Sequence, residues 1–235
     1  MTAILRHAER SATPWKDGGG TTAEIARFPS GAGFDELFWR VSTAVVGGDG
    51  PFSRFAGIER CIVVLGEEGL LLDVGGVEHR VDPLRPFVFP GDVATSARLL
   101  AGPVRDLNVM ARRGVVVAKV EVLSIGGGGR IELEVGPRGD LLVVAVSGRP
   151  SVTAATPAGT GPLPLGATPT GTGPLPLAAG LDQRDPIELG PLDAFHCQHR
   201  GAVSLGGEGV VIVVRLERLG LERLGEAPPI RASGG

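Results

Sequence analysis

Residues 14 to 22 read "PWKDGGGTT". Gly18, Gly19 and Gly20 let the backbone turn sharply and let another group approach its N–H donors with no Cβ in the way. Successive exposed N–H groups form a concavity suited to an anion. Lys16 adds a formal positive charge beside them. Lys16 and Lys119 are the only lysines in a chain that otherwise uses arginine. In "FWRVS", Arg40 offers a planar fork for a carboxylate, and Ser42, two residues on, shares its face of a straight strand. Phe52, Ser53 and Phe55 supply an apolar wall and a hydroxyl, and Arg60 a further guanidinium. Together with Trp15, Asp17 and Thr21, these residues would favour a small anionic metabolite such as a carboxylate. A plainer reading stands beside this one. The glycines would then be only a loop or bulge, Arg40 a surface ion-pair partner, Trp15 and Trp39 packing residues, and Asp17 a turn cap or partner of Lys16.

Other chemistries have weaker support. His7, His79, His196 and His199 are the only histidines, and no H-x-H pair occurs. His196, Cys197 and His199 in "HCQH" are close in sequence, but an odd separation sends the two histidines to opposite faces of a strand. No metal and no cofactor are expected. Ser42 and Ser53 have no histidine nearby in sequence, and no G-x-S-x-G elbow is present, so no catalytic residue is assigned. Glu24, Asp92 and Asp106 would serve as acid or base only if buried.

The elements that must position these residues have the two-residue period of strands. Strands are expected over residues 21–28, 38–46, 85–93 and 105–112, with three short ones across 60–81 turning at Gly75-Gly76. A weaker echo follows at 140–148, 188–197 and 209–217. Only "VRLERLGLERLGE" (214–226) has a helical period. The chain of 235 residues is therefore expected to be all-β, with two β-barrel or sandwich halves and short connecting helices. The halves are drawn at 1–125 and 126–225, with a flexible tail at 226–235. The tandem "TPAGTGPLPLGA/TPTGTGPLPLAA" (156–179) is a low-complexity inserted loop.

A net charge of −3 with dispersed basic residues gives no reason to expect a nucleic-acid partner. No apolar run is long enough for a bilayer, and the first residues lack the pattern of a secretory signal. Cys61 and Cys197 show no disulfide spacing. A cytoplasmic setting is expected, and barrel edges leave a homodimer open.

"PWKDGGGTTAEI", "FWRVSTA", "GPFSRFAGIER", "PFVFPGD" and "RDLNVMAR", in that order, resemble the HutD/Ves family of cupin-like proteins associated with histidine utilisation. The resemblance covers residues 1 to about 125. It implies a bicupin fold and a role in controlling histidine breakdown. Asp17 stands where that family usually has asparagine. In such a setting, urocanate or a formylglutamate-like acid fits the anion site. The leading functional expectation is non-catalytic ligand binding that modulates histidine utilisation. A metal-independent cupin-type enzyme, using Lys16 or a buried carboxylate for proton transfer, and a structural role are the alternatives.

Overall fold

The computed structural model describes residues 1–16, 18–155, 185–198 and 200–220. Seventeen strands run in chain order. The first six are β1 (Thr2–Leu5), β2 (Ala12–Pro14), β3 (Gly20–Phe28), β4 (Trp39–Val46), β5 (Gly50–Pro51) and β6 (Ile58–Val64). Then come β7 (Leu70–Val74), β8 (Val77–Val81), β9 (Phe87–Pro90), β10 (Thr95–Leu99), β11 (Val104–Arg112) and β12 (Val116–Ile125). The last five are β13 (Ile131–Val135), β14 (Gly139–Ala155), β15 (Ile187–Glu188), β16 (Ala194–Gln198) and β17 (Gly201–Arg218). Among the described residues a single 3-10 turn, His7–Glu9, is the only helix. The helical period noted at 214–226 does not make a helix over its described part. Val214 and Leu216 are buried and Arg215 lies between them, the alternation that β17 needs while paired on both sides by β12 and β14.

The N-terminal half is a sandwich. A six-stranded sheet (β2-β3-β4-β11-β6-β9) faces a four-stranded one (β5-β10-β7-β8). Between them lie Val46, Ile62, Val64, Leu70, Leu72, Val81, Phe89, Ala97 and Val104. The β7–β8 hairpin closes through Gly75 and Gly76, at φ 64° and 88°, as the sequence leads one to expect. The opposite face of the six-stranded sheet presents Trp39, Val41, Cys61, Val63, Leu107 and Val109. These pack on Leu142, Val144, Ala194, Ile212 and Val214 of the second half. β4, β6 and β11 therefore bury apolar side chains on both faces, and Arg40, Ser42, Arg60, Asp106 and Asn108 interrupt the one that faces the sandwich. One parity fills the sandwich and the other joins the halves.

The second half is built on the long strands β14 and β17, which pair along almost their whole length with a register shift between Ala145 and Ser147. The shift lets Leu141, Val143 and Ala145, and beyond it Val152 and Ala154, enter one core with Phe195, Val203 and Val213. The boundary drawn at residue 125 does not follow the sheets. β1 pairs β16 and β12 pairs β17, so both ends of the expected N-terminal half belong to the C-terminal sheet. They take the two ends of its strand order. The tandem repeat and the tail lie outside the described residues.

At the seam between the halves, His196 sits 3.1 Å from Asp140 and edge-on to Trp39. Arg218 stacks over Phe28 and lies 3.8 Å from Asp140.

Candidate functional site: a charged row inside the N-terminal barrel

The site begins with a bulge in β3. Register against β4 shifts between Glu24 and Ala26. Ile25 and Ala26 both pack toward the second half, while Glu24 and Arg27, three residues apart, come to the barrel side. Arg27 donates from Nε and Nη2 to the Glu24 carboxylate, which also accepts from Arg40 Nε at 2.7 Å. Partial burial pushes the Glu24 carboxyl up, but the hydrogen bonds from Arg27 and Arg40 outweigh it and hold Glu24 below the usual range.

Register carries this row across the sheet. Arg27 is opposite Arg40, Arg40 opposite Met110, and Met110 opposite Arg60. The next row runs Glu24, Ser42, Asn108, Ile62, and the one beyond it Thr22, Ala44, Asp106, Val64. Arg60 is 6% exposed. Its guanidinium lies 5.0 Å from the Phe52 and Phe89 rings and 5.7 Å from Phe55. Its one hydrogen bond to a side chain is a long one from Nε to Asn108 Oδ1, at 3.4 Å. Burial lowers Arg60 to about 10, against the attraction of Asp106. Asp106 is buried and its Oδ1 accepts no hydrogen bond; Ser42 Oγ is likewise buried without a partner. Burial pushes the Asp106 carboxyl up to about 7 despite Arg60. Three guanidiniums thus face one interior with Glu24 and a carboxyl that is half protonated near neutrality. The balance is positive.

The residues singled out from the sequence divide into two groups. Arg40, Ser42, Arg60, Phe52 and Phe55 meet at this row. The glycine turn does not join Arg40: Gly20 is opposite Val46, at the other end of β4, roughly 20 Å along the strand. Gly19 instead lines a separate cleft of about 130 Å³ with Trp15, Val46, Gly48 to Gly50, Pro51 and Phe52. Phe52 connects the two regions, edge-on to Trp15 at 6.3 Å and over Arg60 on the other side. Lys16, Gly18 and Ser53 are exposed, and Thr21 is half-buried on β3. Asp17 lies outside the described residues. Trp15 packs on the core and donates from Nε1 to Thr22 Oγ1 at 2.7 Å.

The glycines have structural work. A Cβ on Gly20 would stand 2.3 Å from the Val45 carbonyl oxygen and 3.0 Å from the Trp15 ring, whereas one on Gly18 would meet nothing within 4 Å, at φ +74°. Gly20→Ala should therefore destabilise by roughly 1–3 kcal/mol and Gly18→Ala by about 1 kcal/mol, in thermal melts of both variants. Equal small effects would show that β3 can move away.

Sequence reasoning missed Arg27, Asn108, Phe34 and Phe89. The bulge hides Arg27 from any period-two count. Phe34 comes from an irregular loop to stack on Phe55 at 4.7 Å and lie under Arg40 at 5.6 Å. Asn108 shares parity with Asp106 on β11, a signal that was available, whereas Phe89 meets Arg60 only through the β6–β9 register. Of the three carboxylates named, Asp92 is a surface partner of Arg113, and Glu24 and Asp106 face the row. Among the described residues no group of three His, Cys, Asp or Glu comes together. His196 pairs with Asp140, and His199 lies outside the described residues. Cys61 and Cys197 are free and buried, and burial pushes the Cys61 thiol up to about 12.

Comparison with known proteins decides the family. The HutD family model matches residues 7–174. The chain belongs to the HutD family. An uncharacterised 21.2 kDa protein in the hutC 3′ region of Pseudomonas putida is 44% identical over 110 residues, 46% of this chain and 56% of that one. Protein Ves of Citrobacter koseri is 41% identical over the same shares. The chain spans about half the length of these curated relatives. The solved structure of HutD from Pseudomonas fluorescens SBW25 (formate condition) aligns over 94% of this chain and all of its own, at 27% identity and a TM-score of 0.71. A cupin conserved-barrel protein from Leptotrichia buccalis aligns over 92% of this chain and 96% of its own, at 8% identity and a TM-score of 0.53, a likeness of fold alone. The HutD-family chain is all-β and shares the cupin fold of these neighbours. No helix of the described residues is long and apolar enough to cross a membrane.

Proposed function

We propose that this HutD-family chain binds a small anionic metabolite without transforming it, and that binding modulates histidine utilisation. Urocanate and formylglutamate-like acids are the ligands of choice, given the family's pathway. The observation that carries this reading is the positive balance of the interior row. Arg27, Arg40 and Arg60 face two carboxylates, and one of these, Asp106, holds its proton until about neutral pH. Arg60 has hydrogen-bonding capacity to spare in a setting where charge-assisted bonds are strong. The setting expected is cytoplasmic, with no nucleic-acid partner.

Calorimetric titration with urocanate and N-formylglutamate tests this. Arg40 stands at the more open end of the row, its side chain 14% exposed. Arg40→Ala should weaken binding roughly tenfold to a hundredfold, the loss of a charge-assisted bond. Lys16→Ala, at the exposed turn, should change affinity far less. Equal affinities in the parent and Arg40→Ala would remove Arg40 from the ligand site. The enzyme reading draws on one observation: a carboxyl titrating near 7 suits proton transfer at physiological pH. Conversion of either acid during prolonged incubation with the parent, and its loss in Asp106→Asn, would favour it.

A further inference from the structure

The middle of the site holds two buried polar groups with no partner, and they sit side by side. Ser42 is opposite Asn108, and Asp106 is two residues along β11 from Asn108 on the same face. Ser42 Oγ and Asp106 Oδ1 are both unpartnered, at 0% and 3% residue exposure. Arg60 reaches the same patch through Asn108. Buried polar atoms are seldom left unpaired in a folded protein, and those that are need a role or an occupant. An acceptor-only carboxylate would gain nothing from an incoming anion, because two negative charges would share one poorly solvated space. A carboxylic acid does the reverse, since its O–H donates to that anion while Arg60 grips the other oxygen.

We infer that the barrel interior binds a small carboxylate together with one proton, and that Asp106 is the residue that carries the proton. This rests on the anion-binding reading above and adds its proton stoichiometry and its recognition chemistry. The ligand is a monocarboxylate head, held between the Arg60 guanidinium and the Asp106 O–H, with the Ser42 hydroxyl beside it.

The groups that face Asp106 settle the direction. From β6, Arg60 attracts the ionised form; Arg40 on β4 and Arg27 on β3 add distant positive charge, each already engaged by Glu24. Ser42 and Asn108 are neutral. From the opposing sheet come Leu70, Leu72, Val81 and Ala97 in the same core, with the neutral Thr95 and the half-buried His79, which is opposite Leu72 and lies against the Phe87 ring. Burial dominates these and keeps the carboxyl protonated to about pH 7. A bound anion engages Arg60 and repels a charged Asp106, so the folded site holds its proton more tightly when loaded. Below about pH 7 the proton is already present and affinity is flat. Above it each binding event must take up a proton, and affinity falls toward tenfold for each pH unit.

The test uses the full chain with formate and N-formylglutamate, whose own carboxyls stay ionised across pH 6 to 9. Calorimetry at pH 8 in two buffers of different ionisation enthalpy should give different observed heats, equivalent to nearly one proton taken up. Affinity should be constant from pH 6 to 7 and drop about tenfold between pH 8 and 9. Asp106→Asn, which mimics the protonated acid in shape, should bind with buffer-independent heat and a flat pH profile. An infrared band of a protonated carboxyl, absent in Asp106→Asn, should grow on adding formate at pH 8. Binding by the parent with buffer-independent heat and a flat profile overturns proton coupling and leaves anion binding standing. Failure of the parent to bind either acid at any pH removes both.

Discussion

At pH 8 the Asp106→Asn variant is expected to be more stable than its parent, by up to roughly 4 kcal/mol. The sign follows from linkage. In the unfolded chain Asp106 titrates near the ordinary carboxylate value; in the fold burial raises it to about 7. Below the ordinary value both states hold the proton, and the buried acid costs little. As pH rises toward 7 the unfolded state releases its proton while the folded state keeps it, so stability is lost across that window and stays low above it. Asparagine has the acid's shape and cannot ionise, so the variant lacks this loss. Chemical denaturation of both proteins at several pH values between 5 and 8 measures it. The gap should widen with pH and level off above about 7. Parallel stability curves, offset by a constant or not at all, would mean that Asp106 is solvated or paired in the folded state.

The second large effect concerns its partner. Arg60→Met should destabilise the fold by roughly 3 kcal/mol at pH 8 and by less at pH 5. The arginine does two things there. Its guanidinium lies against the rings of Phe52, Phe55 and Phe89, an attraction worth about 2 kcal/mol when desolvated. It also favours the ionised form of Asp106, a contribution that matters only where Asp106 is charged. Methionine keeps much of the volume and the apolar contact, so the pH-dependent share can be isolated from packing loss. Combining Arg60→Met with Asp106→Asn should recover most of the stability, because it leaves no buried charge without compensation. A double variant as unstable at pH 8 as Arg60→Met alone would show that packing around the rings, and not the charge, is what the site needs.

Parts of this were legible in the residues. Branched and aromatic side chains in "FWRVSTAVV" and the short apolar run in "RDLNVMAR" identified β4 and β11, and the glycine pair at 75–76 identified a hairpin. The order of short motifs pointed to the HutD family before any fold was known. Arg40 and Ser42 came out as candidates together because strand periodicity puts residues of equal parity on one face, and Arg60 for its guanidinium. Asp106 was visible as a carboxylate whose importance turned on burial, and burial is not a local property.

What local sequence could not supply is which face meets which partner. Both parities of β4, β6 and β11 carry apolar residues, so the strand pattern does not say that one faces the sandwich and the other the second half. That depends on contacts between segments a hundred residues apart. The same holds for β1 and β12, which cross into the C-terminal sheet. The bulge at Glu24 to Ala26 changes the parity of Arg27 and forms only because β4 is there to pair against. The glycine turn and Arg40 looked like neighbours in one cradle, since short motifs suggest proximity. Antiparallel register sends them to opposite ends of β4. Residue types and their two-residue rhythm set what each strand can present, because side-chain direction along a strand is a local steric matter. The protonation of Asp106 and the burial of Arg60 belong to the folded molecule alone, because dielectric surroundings and opposing charge exist only once distant strands close around them.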